Sequence, residues 1–71
     1  MTTNWNSLLS TKRNVATVSS FANGQMSVRD FYSTFSGTSR GGIVRGLLRY
    51  HGVKQARVLA GKALSRRLSV K

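Results

Sequence analysis

The side chains with the clearest chemical potential are cationic, and they crowd into the second half of the chain. Residues 40–71 hold nine lysines and arginines and no acidic residue, whereas residues 1–39 hold three cations and Asp30. The net charge is therefore +9 in the second half and +2 in the first, which gives +11 for the chain. A surface with so few carboxylates attracts anions. Because eight of the twelve cations are arginine, whose planar guanidinium suits phosphate, the composition favours nucleic acid as the partner.

The predicted nucleic-acid contacts are polar side chains of this basic half. They are Arg40, Arg45, Arg49, Lys54, Gln55, Arg57, Lys62, Arg66 and Arg67. Arg45 and Arg49 lie four residues apart, a spacing at which two cations on a helix repel each other slightly. An anion bound between them would explain that spacing better than helix stability does.

The sequence has too few suitable residues for a catalytic site or a metal site. His51 is the single histidine, Asp30 is the single acidic residue, and cysteine is absent. A catalytic triad needs three groups that meet in space, and a metal site needs several ligands. Gly41-Gly42 and Gly61-Lys62 lack the spacing of a phosphate-binding loop. We therefore predict a protein that is not an enzyme and that uses neither a cofactor nor a metal.

A short aromatic helix is predicted at 28–36. Ser27 is a good N-cap, Asp30 follows it at the spacing of a capping box, and Gly37 ends the helix. The apolar face has helical spacing and consists of Val28, Phe31, Tyr32 and Phe35. These aromatic residues could instead form a surface on which nucleic-acid bases stack. Their helical spacing favours burial in the core over that alternative.

Two further helices must position the basic residues. Thr38 or Ser39 can cap the first, and its glycines at 41, 42 and 46 suit either close helix packing or close approach of a phosphate. Gly52 separates it from an amphipathic helix at 53–69. The segment 52–58 resembles the turn and early recognition helix of a helix-turn-helix motif, which implies that Lys54, Gln55 and Arg57 face the DNA groove. Leu48 and Gly61 depart from that pattern.

The first 24 residues are polar and harder to assign. Trp5, Leu8 and Leu9 can open a helix capped by Asn4 or Asn6. The β-branched residues within 14–21 suit an extended segment as well, and of the two we favour a helix. Residues 1–24 could also be a flexible segment. We expect residues 1–71 to form a single small basic domain of the all-α class, a compact bundle of three or four short helices, helical over 27–71 and strongly basic from residue 40.

The leading function is nucleic-acid binding through phosphates, as in a virion- or nucleoid-associated protein. The first alternative is a module that docks on an acidic protein through Trp5, Phe21 and Tyr50, and the second is a cationic amphipathic helix at 53–69 on a membrane surface. Homo-oligomerisation through the Ala- and Gly-containing face of that helix is also open. Because the sequence shows neither a classical secretion signal nor an apolar span of about 20 residues, we expect a cytoplasmic or virion-associated protein without transmembrane insertion.

Overall fold

The computed structural model describes residues 3–69, and this part of the chain folds into five α-helices. They are α1 (Trp5–Leu8), α2 (Lys12–Ala22), α3 (Val28–Phe35), α4 (Ser39–His51) and α5 (Val53–Ser69). The predicted all-α bundle is confirmed. The fifth helix arises because the polar N-terminal segment forms two helices, of which the first is a single turn.

The choice between helix and strand in the N-terminal segment is decided by which residues are buried. Val18 and Phe21 lie three residues apart on α2 and are both fully buried, and Val15 packs beside them. That spacing is the period of a helix face and not of a strand. Each of the two helices has a side-chain cap, since Asn4 Oδ1 accepts from the Ser7 amide at 3.3 Å and Thr11 Oγ1 accepts from the Asn14 amide at 3.1 Å.

The three C-terminal helices begin close to where the sequence placed them. Ser27 Oγ accepts from the Asp30 amide at 3.2 Å, as predicted, and α3 ends one residue before the predicted boundary. Of the two candidate caps for α4, Thr38 is the N-cap, and its hydroxyl accepts from the Arg40 amide at 3.2 Å. Gly52, with φ +83°, is the only residue between α4 and α5. An L-residue with a side chain is disfavoured at that φ, so this abrupt junction depends on glycine.

An aromatic cluster forms the centre of the core. The Phe21 and Phe31 rings stack with centroids 4.0 Å apart and planes 6° apart, and Phe35 meets Phe31 edge-on at 5.6 Å. Phe31 and Phe35 are buried, which confirms the predicted core role of the α3 face, whereas Tyr32 remains 37% exposed. The other buried apolar residues complete the core around this cluster: Leu8, Leu9, Val18, Val44, Leu47, Ala56, Ala60 and Leu64.

The glycines of α4 serve different purposes. A Cβ at Gly41 would lie 2.8 Å from the Phe35 carbonyl oxygen, so the end of α3 approaches α4 too closely for any side chain. Close packing is thus the role of Gly41. Gly42 and Gly46 are exposed, and a Cβ at either would meet no atom within 4 Å. Packing within the chain therefore gives no reason for glycine at these two positions.

Alanine substitutions separate these roles. We expect Gly41→Ala to destabilise the protein by about 1–2 kcal/mol, because the forced shift of the Phe35 main chain outweighs the gain in helix propensity. Gly46→Ala is the matched control on the same helix, and we expect it to stabilise by up to about 1 kcal/mol. Urea denaturation followed by circular dichroism measures both changes. Equal effects of the two variants would show that the contact with Phe35 is unimportant.

Candidate nucleic-acid interface

Two exposed arginines form a ridge along the outer side of α4. Arg45 and Arg49 are separated by one helical turn, which places their Cα atoms about 6 Å apart along the helix axis. A shallow groove on one flank of this ridge is lined by both arginines together with Leu48 and the exposed Tyr32 of α3. The Arg45–Arg49 ridge therefore combines positive charge with an accessible aromatic ring.

A second groove lies on the opposite flank of the Arg45–Arg49 ridge. This Tyr50 cleft has a volume of about 160 Å³ and is lined by Thr3, Asn4, Gly42, Ile43, Gly46, Leu47, Tyr50 and His51. Tyr50 is 68% exposed, and its ring meets that of His51 edge-on with centroids 4.7 Å apart. Around the helix axis, Gly46 lies between Arg49 and Tyr50, so bare main chain separates the ridge from the aromatic ring.

The outer face of α5 carries the second group of cations. Ala56, Ala60 and Leu64 form the buried line of this helix, which packs along α2. The predicted contact residues on the opposite side are all exposed: Lys54, Gln55, Lys62 and Arg66. Arg67 is exposed too, although it lies in line with Ala60, beyond Leu64 on the helix. Six of the eight cations among the predicted contact residues are thus exposed on α4 and α5.

Arg57 takes the opposite orientation and turns into the bundle. Its Nη1 donates to the carbonyl oxygens of Phe21 at 2.6 Å and Met26 at 3.0 Å, and its guanidinium carbon lies 4.5 Å from the centre of the Phe21 ring. The two carbonyls belong to the two sides of the α2–α3 turn. Arg57 therefore ties α5 to that turn, and it does not occupy the groove-facing position that the helix-turn-helix resemblance implied.

Arg40 is also engaged within the chain. Its Nε donates to the Ser7 carbonyl oxygen at 2.9 Å, and its Nη2 donates to Ser10 Oγ at 3.0 Å. These bonds link the start of α4 to the end of α1. Arg40 is half-buried as a result, so its guanidinium is less available to a phosphate than those of Arg45 and Arg49.

The junction between α4 and α5 differs from a helix-turn-helix motif. That motif joins its helices by a turn of about three or four residues, whereas Gly52 alone separates α4 from α5. The inward orientation of Arg57 is the second difference. Of the three side chains predicted to contact bases from the start of α5, Arg57 is therefore unavailable, and Lys54 and Gln55 remain exposed.

The predicted protein-docking face of Trp5, Phe21 and Tyr50 does not form. Phe21 is fully buried in the aromatic stack, and Trp5 packs half-buried against the core. Tyr50 is the one exposed member of the three. Tyr50 lies three residues after Leu47 and seven after Ile43, at the edge of the apolar stripe of α4, so helical periodicity alone could not identify it as a surface residue.

Comparison of the chain with protein-family models, with curated proteins and with solved structures finds no match. Over residues 3–69, no helix combines the length and the apolar character that crossing a lipid bilayer requires.

The two orientations of arginine predict different effects on stability. We expect Arg57→Ala to destabilise the protein by about 2–4 kcal/mol, because it removes two charge-assisted hydrogen bonds and the contact with the Phe21 ring. Arg49→Ala removes the same charge from an exposed position and should change the stability by no more than about 0.5 kcal/mol. Chemical denaturation compares the two variants directly. A large loss in Arg49→Ala, or none in Arg57→Ala, would contradict the assignment.

Proposed function

We propose that the protein binds nucleic acid mainly through phosphate contacts made by the exposed cations of α4 and α5. The observation that carries the proposal is their outward orientation on two consecutive helices in a stretch without an acidic side chain. These cations are Arg45, Arg49, Lys54, Lys62, Arg66 and Arg67. Gln55 lies beside them and can contribute a hydrogen bond to a sugar or a base.

Phosphate binding explains a charge distribution that is unfavourable for the protein alone. Twelve cations and one acidic residue leave most positive charges without a partner inside the molecule, and like charges on a small surface oppose compaction. A polyanion supplies the missing negative charge along a continuous strand. If all six outward cations neutralise a phosphate, the logarithm of affinity falls with the logarithm of salt concentration with a slope of about −5 on duplex DNA.

The packing of α5 favours nucleic acid over a membrane surface. Interfacial helices bury their apolar face in lipid. In this bundle the apolar line of Ala56, Ala60 and Leu64 is buried against the rest of the protein, so lipid insertion would require the bundle to open. The cationic face, in contrast, is accessible without rearrangement. The association with a virion or nucleoid and the cytoplasmic or virion-associated location predicted from the sequence stay predictions.

Matched double variants test where the nucleic acid binds. We expect Arg45→Ala/Arg49→Ala to weaken binding to unrelated DNA and RNA oligonucleotides and to reduce the salt slope by about 2. Lys12→Ala/Arg13→Ala removes the same charge from exposed positions at the start of α2 and should leave the slope nearly unchanged. Fluorescence anisotropy at several salt concentrations gives both values. Equal losses would indicate general attraction without an interface, and no binding by the wild type at low salt would refute the proposal.

The thermal stability should depend on salt because the native state carries its charges close together. We expect added sodium chloride to raise the melting temperature by screening the repulsion among the cations. A short polyanion should raise it further, because a ligand that binds the native state stabilises it. Differential scanning calorimetry measures both effects. A melting temperature that falls or stays constant under both additions would count against the role assigned to the charge.

A further inference from the structure

Tyr50 is the most exposed large hydrophobic or aromatic side chain among the described residues. It is 68% exposed, compared with 46% for Val58, 39% for Val53 and 37% for Tyr32. The core does not need it, since the aromatic cluster is completed by three phenylalanines. An exposed aromatic ring beside arginines is a feature of surfaces that stack on nucleic-acid bases.

The position of Tyr50 relative to the Arg45–Arg49 ridge defines a path for a strand. Tyr50 follows Arg49 and is rotated from it by about 100° around α4. The exposed glycines 42 and 46 lie in the arc between them, and no neighbouring atom lies within 4 Å of where their Cβ atoms would be. A sugar–phosphate backbone held by the ridge could therefore pass over bare main chain and turn a base toward the Tyr50 ring.

The other flank of the ridge repeats this arrangement. Tyr32, half-exposed on α3, and Leu48 line the shallow groove beside Arg45 and Arg49. The ridge of positive charge thus has an accessible tyrosine on each side. A single strand can turn bases to both sides of its backbone, whereas the bases of a duplex are stacked on one another inside the helix.

We propose that this surface of α4 selects single-stranded over double-stranded nucleic acid, with Arg45 and Arg49 on the phosphates and Tyr50 stacked on a base. The inference rests on the proposed nucleic-acid binding and adds to it the class of nucleic acid. Stacking does not distinguish the four bases, because every base has a π-face. A duplex can contact the arginines of the ridge but offers no unstacked base to Tyr50.

A comparison of strands and variants tests the inference. The probes are a labelled 20-nucleotide single strand of mixed sequence and its blunt duplex, titrated at one low salt concentration. We expect Tyr50→Ala to bind the single strand at least about fivefold more weakly and to bind the duplex as the wild type does. Tyr50→Phe keeps the ring and should retain the affinity.

A second readout follows the ring itself. The chain contains only two tyrosines, so their ring protons can be distinguished by NMR in the wild type and in Tyr50→Phe. Stacking on a base should shift the Tyr50 ring protons upfield when the single strand is added, and the duplex should leave them unchanged. This measurement reports on the ring even if Tyr50→Ala alters the stability of the fold.

The possible outcomes separate the inference from the function on which it rests. Equal affinity of the wild type for the two probes, a preference for the duplex, or no effect of Tyr50→Ala would overturn the inference and leave nucleic-acid binding in place. A similar loss in Tyr50→Ala and Tyr50→Phe would also overturn it, because the hydroxyl group and not the stacked ring would then make the contact. No binding of either probe would overturn the proposed function itself, and tight binding to an acidic protein instead would identify the alternative partner.

Discussion

The stack of Phe21 on Phe31, covered by the guanidinium of Arg57, joins three helices at one place in the core. Phe21 comes from the end of α2, Phe31 from α3 and Arg57 from α5, and the two carbonyls that Arg57 binds lie on either side of the α2–α3 turn. A chain of 71 residues buries a small core and is marginal in stability. With no cysteine to form a disulfide, this aromatic cluster has to fix the arrangement of the helices by packing and hydrogen bonding alone.

That arrangement divides the arginines into two groups with different tasks. Arg40 and Arg57 donate to oxygens of the N-terminal half and connect α4 and α5 to it. Main-chain carbonyl oxygens and the Ser10 hydroxyl accept these hydrogen bonds in place of carboxylates, of which the chain has only Asp30. The remaining cations of α4 and α5 point outward. The protein thus uses arginine both to assemble its helices and to form the positive surface, and only the second group is available to a polyanion.

Much of the fold could be predicted because local signals agreed with the tertiary structure. Ser27, Gly37 and Gly52 marked the helix boundaries within one residue, and the spacing of Phe31 and Phe35 identified a core face. The N-terminal helices were ambiguous because Val15 and Val18 suit a strand by propensity, and only their packing in the core decides for a helix. Periodicity placed Arg57 beside the apolar arc of α5 but could not reveal its acceptors, which lie 36 and 31 residues earlier in the chain. The Tyr50 cleft depends on the approach of Thr3 and Asn4 to α4, which the sequence did not indicate.

Outward and inward arginines should differ in their access to nucleic acid. The most direct test is an NMR titration of the nitrogen-15-labelled protein with an unrelated oligonucleotide, followed at the arginine Nε–Hε signals. We expect the signals of Arg45, Arg49 and Arg66 to shift in proportion to binding, and those of Arg40 and Arg57 to keep their positions because their hydrogen bonds within the chain persist. Shifts centred on Arg57 with none at Arg45 and Arg49, or no shift at any arginine at low salt, would show that the exposed arginines of α4 do not bind nucleic acid.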